Sequence, residues 1–139
     1  MIPAEVSTPP DNVTLRIARG GLTLPVMRVV VGGVASRHNL PLERLDDIQL
    51  AIETLLAEEP GEGSDLTLGV SMGQGRLSVR LDGLTNHSLK AALLASDPFQ
   101  PCPGCLLDVR LLLDSLVDEY HLVEAEGGRF AVEMEKQVS

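Results

Sequence analysis

Between Val13 and Ala18 the chain alternates apolar and polar residues (Val-Thr-Leu-Arg-Ile-Ala), the period of a strand with one buried face. Gly20-Gly21 breaks the alternation. Pro25 suits the first turn of a helix, where its missing N–H is not needed. Val26, Val29, Val30, Gly33 and Val34 then recur at three- and four-residue spacing to about Arg37. Asn39-Leu40-Pro41 resets the chain ahead of a second helix. Its apolar face is Leu42, Leu45, Ile48, Ile52, Leu55 and Leu56, with Glu43, Arg44, Asp46 and Asp47 outward. Glu58-Glu59-Pro60-Gly61-Glu62-Gly63 ends it. Leu66–Ser71 and Arg76–Leu81 alternate again, and Met72-Gly73-Gln74-Gly75 between them predicts a hairpin. Ser88–Ala95 predicts a short helix before Asp97-Pro98. Leu106, Val109, Leu113, Leu116 or Val117, and Tyr120 predict a long final helix. His121–Glu126 and Arg129–Met134 close the chain as two strands joined at Gly127-Gly128. The order β-α-α-β-β-(α)-α-β-β points to an α+β sandwich with helices covering one sheet face.

Residues 1–12, with Pro3, Pro9 and Pro10, read as a flexible or extended arm, leaving 13–139 as one domain. A length of 139 residues suits a single domain, one that buries about two-thirds of its unfolded surface without a metal or disulfide staple. The formal net charge of −9 and a total of three aromatic residues (Phe99, Tyr120, Phe130) argue against single-strand nucleic-acid binding. That function needs a basic groove and stacking rings. An acidic surface also repels anionic membranes, and the longest apolar stretch, Val29–Val34, is far too short to span a bilayer. The first ten residues lack a basic leader and an apolar core, so they do not read as a signal peptide. With two cysteines in the chain, the expected compartment is a reducing cytoplasm.

Several stretches taken in order resemble a known family. Leu24-Pro25-Val26-Met27-Arg28, Val30, Ala35-Ser36-Arg37 and Leu40 are similar to its first helix and following turn, and Leu45–Ile52 to its second helix. Gly75–Arg80 resembles its central hairpin, Gly104–Glu119 the helix behind its lid, and Gly127-Gly128 its closing turn. The family is the GHKL (Bergerat) ATPase superfamily, in its anti-sigma-factor serine-protein kinase branch. The resemblance implies a histidine-kinase-type ATPase fold: a two-layer α/β sandwich with a mixed, mostly antiparallel sheet and helices on one face. It implies ATP and magnesium as cofactors wherever the site still functions. It also implies a protein partner (a sigma factor or an anti-anti-sigma-like protein) or a homodimer, contacted through Pro25–His38 and part of Leu42–Leu55, with Met27, Arg28 and Val31 as partner-binding residues.

The same resemblance is broken where the chemistry would lie. The family's second helix carries a Glu and, four residues on, an Asn that holds Mg²⁺, so that both share one helical face. One register puts Thr54 and Glu58 at those positions; the other puts Glu53 and Ala57 there. Neither supplies both groups. After the hairpin the family has Asp-x-Gly-x-Gly, whose Asp reads adenine; here Asp82-Gly83 is followed by Leu84 and Asn86 in place of the glycines. The lid keeps Gly104 but replaces the glycine-rich sequence after it by Cys105-Leu106-Leu107. Asp82, Gly83 and Gly104 are thus the cofactor-binding candidates, and no residue stands out as catalytic. The expected function is a regulatory anti-sigma-like module, a pseudokinase with lost or impaired ATP binding. The alternative is an active ATP-dependent serine-protein kinase.

Cys102-x-x-Cys105 sits ahead of the final helix, where a thiol pKa can fall and support disulfide exchange. This makes a redox-responsive module a second alternative, against two small residues in a loop. A zinc site needs four ligands, and His38, His87 and His121 are scattered, so no metal site is expected. The acidic run Glu58, Glu59, Glu62 and Asp65 reads either as a solvated helix end or as a docking patch for a basic partner.

Overall fold

The computed structural model describes residues 11–57, 59–95 and 109–138. Five strands form one sheet in the order β1-β2-β3-β5-β4: β1 (Asp11–Ile17), β2 (Leu66–Gly73), β3 (Arg76–Leu84), β4 (Glu119–Glu124) and β5 (Phe130–Gln137). Every pairing is antiparallel, so the parallel component of the expected mixed sheet is not found among the described residues. Helices α1 (Thr23–Arg37), α2 (Leu42–Leu56), α3 (His87–Leu94) and α4 (Val109–Leu116) complete the α+β fold.

Alternation assigns the two faces of the sheet. Leu66, Leu68, Val70 and Met72 of β2, Leu77, Val79 and Leu81 of β3, and Phe130, Val132 and Met134 of β5 are buried. They pack against Met27, Val31 and Val34 of α1, Ile48, Ile52 and Leu55 of α2, and Leu113 and Leu116 of α4. The intervening residues, Thr67, Gly69 and Ser71 of β2 and Ser78, Arg80 and Asp82 of β3, lie on the face opposite the helices. Burying ten such strand side chains on one side is what selects a two-layer sandwich.

The β2–β3 hairpin turns at Gln74-Gly75, both with positive φ (55° and 76°), the two-residue geometry whose twist matches that of its strands. Lys136 ends β5 on the helix side, nearly buried. Its ammonium donates to the Leu116 carbonyl at 2.8 Å and to Asp47 at 3.1 Å, closing the C-terminus of α4 against α2.

Three details depart from the expectation. The face of α1 is turned: Met27, Val31, Val34 and Ala35 are buried, whereas Val29 is 74% exposed. Valines on every side of the helix made its phase ambiguous, and packing chose one phase. Tyr120 belongs to β4, because Asp118 N–H already donates to the Glu135 carbonyl and starts the ladder after Leu116. Strand β1 begins at Asp11, inside the expected arm. Among the described residues no helix is long and apolar enough to cross a membrane.

Candidate functional site

Three loops converge at one end of the sandwich. The first follows β1 and carries Arg19 ahead of Gly20-Gly21; the second follows α2 and carries Glu59; the third is the end of β3, Gly83 to Asn86. Arg19 and Glu59 are 40 residues apart in sequence and form an ion pair at 2.8 Å, with side chains only 2% and 3% exposed. A buried charge is tolerated only if its remaining bonding capacity is met, and here it is. Arg19 Nε donates to the Ser64 carbonyl at 2.7 Å, Nη1 also to the Pro60 carbonyl at 3.1 Å, and Nη2 to the Gly83 carbonyl at 2.6 Å. Glu59 accepts the Thr85 N–H at 3.0 and 3.1 Å, the Thr85 hydroxyl at 3.2 Å and the Asn86 N–H at 2.9 Å.

Gly83 makes this convergence possible. A shift in the β3–β5 register falls between Asp82 and Leu84, and Gly83 takes φ +93°, a conformation that side-chain-bearing residues rarely adopt. A Cβ at this position would lie 2.9 Å from the Asp65 carbonyl oxygen. The bulge aims the Gly83 carbonyl at Arg19 and brings the N–H groups of Thr85 and Asn86 to Glu59. Asn86 then caps α3, its side chain accepting from Ser88 N–H at 3.0 Å and Leu89 N–H at 3.2 Å.

Beside the pair opens a cleft of about 310 Å³, walled by Gly20, Gly21, Leu24, Glu53, Leu56 and Gly61. A carboxylate offers about four acceptor positions. Glu59 meets four protein donors, so it has none left for a metal ion or a reacting water. Among the described residues, the only ionisable group on the cleft wall besides the pair itself is Glu53, which is bonded to Arg28 at 2.5 Å across the α1–α2 contact.

Of the other candidates, Thr54 turns its hydroxyl back onto the Leu50 carbonyl of its own helix, at 2.8 Å. Asp82 stands on the sheet face opposite the helices, 3.4 Å from Arg80, and so points away from the cleft. The apolar side chains of Leu77, Val79 and Leu81, alternating with it, already carried that signal. Only Glu53 and Gly83 of the described candidates therefore meet near the cleft. Met27 and Val31 are fully buried against the sheet, which corrects their reading as partner-binding residues. Arg28 is exposed and paired with Glu53. Glu58, Cys102, Gly104 and Cys105 lie outside the described residues.

Sequence reasoning missed Arg19 altogether and read Glu59 as solvated or as part of a docking patch; its burial corrects both. Asp65, of the same acidic run, is paired with Arg16 at 2.9 Å. Away from the site, hydrogen bonds from His38 and then Arg37 hold the Asp11 carboxyl below its ordinary value. Among the described residues no three His, Cys, Asp or Glu side chains converge on a metal position.

No family model and no curated protein matches the sequence. Among solved structures, the chain is similar to one in the crystal structure of the SiaB-SiaC complex from Pseudomonas aeruginosa. The TM-score is 0.59 at 9% sequence identity, over 89% of this chain and 88% of that chain. At such low identity the likeness is one of architecture. It establishes the α+β fold: a five-stranded antiparallel sheet with its helices on one face.

Proposed function

We propose that this protein is a regulatory protein-binding module of the anti-sigma type in which the nucleotide chemistry of the resembled family is lost or impaired. The Arg19–Glu59 pair is the observation that carries this reading. By resemblance, the nucleotide would sit between the second helix and the stretch after the central hairpin. Here a buried ion pair and its hydrogen bonds join those two segments directly. Glu53 and Thr54, the residues nearest the family's catalytic position, are bonded to Arg28 and Leu50.

Protein binding is supported by the fold neighbour, which is part of a protein complex, and by the outer side of α1. There Leu22 and Val29 are each 74% exposed and flank the exposed Pro25. Exposed apolar groups gathered on one helix side are a common feature of partner surfaces. The partner class is a sigma factor or an anti-anti-sigma-like protein.

Titration calorimetry with ATP or ADP and Mg²⁺ tests the first half of the reading, and no binding heat at millimolar nucleotide is expected. Micromolar or tighter binding, about −8 kcal/mol, overturns it in favour of an active serine-protein kinase that uses the cleft. For the second half, wild type and Val29→Glu are compared as baits in native extract. A sigma or anti-anti-sigma protein retained by the first and lost by the second is the expected result; equal retention removes α1 as the surface.

A further inference from the structure

Acidic side chains crowd the β4 end of the sheet, and some of them are already matched. Glu124 meets Lys90 at 2.7 Å, Glu133 meets Arg80 at 3.6 Å, and Glu135 meets Arg76 at 3.0 Å. Asp114 of α4, Asp118 and Glu119 at the start of β4 have no cationic partner among the described residues. These three line one open groove of about 540 Å³ with Val117, Tyr120 and His121. No lysine or arginine stands among the described residues of its wall.

The strand beside this groove is an edge. Among the described residues β4 has one strand neighbour, β5. The Ala125 N–H donates to the Arg129 carbonyl at 2.9 Å. Bonded pairs recur at every second residue of an antiparallel ladder, so Val123 and His121 also turn their backbone groups toward β5. Leu122 and Glu124, which alternate with them, turn theirs outward. The side chains alternate too. Glu119 and His121 stand on the open face, in line with Glu135 and Glu133. Leu122, opposite the buried Val132, leans on the core from the helix side.

We infer that the outer edge of β4 takes up an extended basic segment of a partner protein as a further strand, one in which basic and apolar residues alternate. Its main chain pairs with Leu122 and Glu124, and its alternate side chains read the two faces. The apolar ones lie beside Leu122 on the helix side. The basic ones lie on the open face beside Glu119, and a long cationic side chain enters the groove between Asp114 and Glu119. Charge selects this occupant. An open edge offers its backbone to any strand, but a second copy of a chain of net charge −9 brings more negative charge to carboxylates that already lack a partner. A basic segment supplies what they lack. Helix α1 packs over β2, nearer the opposite edge of the sheet, so this surface is separate from the one on α1.

Fluorescence anisotropy of a labelled peptide of alternating lysine and valine, titrated with the full chain, tests this. Saturable binding that weakens with added salt is expected, and none with a peptide of alternating glutamate and valine. Methylating the backbone nitrogens on the pairing side of the lysine peptide keeps its charge, removes its donors, and should abolish binding. Asp114→Lys combined with Glu119→Lys reverses two exposed charges. It should raise the dissociation constant about fivefold or more with the far-UV dichroism spectrum unchanged. Amide hydrogen exchange should slow at Leu122 and Glu124 when the peptide binds and stay the same at Val123. Absence of binding by the lysine peptide overturns the inference. So does equal binding of the methylated peptide, which leaves charge attraction alone, or a dissociation constant that the double variant does not change. Val29→Glu should bind the peptide as wild type does, so failure at this edge and failure of the α1 surface are read separately.

Discussion

Replacing Arg19 by methionine keeps much of the length and the apolar stem of the side chain while deleting one charge and four hydrogen bonds. Glu59 is then an uncompensated carboxylate at 3% exposure, and three backbone carbonyls lose a donor. Removing one partner of a buried ion pair costs about 3–5 kcal/mol. The lower half of that range applies here, because Thr85 and Asn86 still donate to the carboxylate. Glu59→Gln removes the charge but turns an amide N–H₂ toward those same donors, for a loss of about 1–3 kcal/mol. The double variant should lose less than the sum, with a coupling of about 1–3 kcal/mol, since each single change strands the other group. The chain has no tryptophan, so urea unfolding is best followed by far-UV circular dichroism. A domain of this kind holds about 5–15 kcal/mol in all, which makes the Arg19→Met loss easy to resolve. If that loss is below about 1 kcal/mol, or the two changes are additive, the pair is solvated and the account of a closed seam is wrong.

Gly83→Ala forces a side chain into φ +93° with its Cβ 2.9 Å from a backbone oxygen, and should cost about 2 kcal/mol or more; a thermal midpoint within about 1 °C of wild type would contradict the bulge. Lys136→Met strands the buried Leu116 carbonyl and should cost about 1–3 kcal/mol. Asp47→Asn, at a side chain 41% exposed, should cost less than about 1 kcal/mol; guanidinium unfolding of the two variants checks the order. Asp11 has its folded-state pKa held below the ordinary carboxylate value by His38 and then Arg37. The unfolded chain therefore binds the proton more readily, and the stabilisation is present above the ordinary value of 3.8 and lost as pH falls through the folded value. Thermal scans of wild type and Asp11→Asn should differ at neutral pH and converge in strong acid; a constant gap across that range would show that the contact does not titrate.

The buried pair also bears on the choice between enzyme and binding module. An ion pair of this kind adds little net stability over an apolar pair of similar size, but it holds three loops in one arrangement. The seam between α2 and β3 is thereby fixed by the chain's own groups. That closure leaves Glu59 with no acceptor position for a metal or a hydroxyl.

The alternations at Leu66–Met72, Leu77–Leu81 and Phe130–Met134 were sufficient by themselves to assign both faces of the three central strands. A period of two leaves no doubt about which side an apolar residue takes. Asp82, an adenine-reading candidate by resemblance, follows the same period and stands on the outer face. Helix α1 was legible as an element but not in its phase, because valine at 26, 29, 30, 31 and 34 satisfies several faces equally. Contact with β2 and α2 chose Met27 and Val31 for the core and left Val29 outside. Arg19 before a glycine pair and Glu59 at an acidic helix end each read locally as solvated. Their burial arises where three loops, distant in sequence, close on one another around a glycine with positive φ. Local patterning reports the surroundings a residue makes with its near neighbours. The dielectric around a charge is set by everything packed against it, so that part of the site was decided only by the tertiary structure.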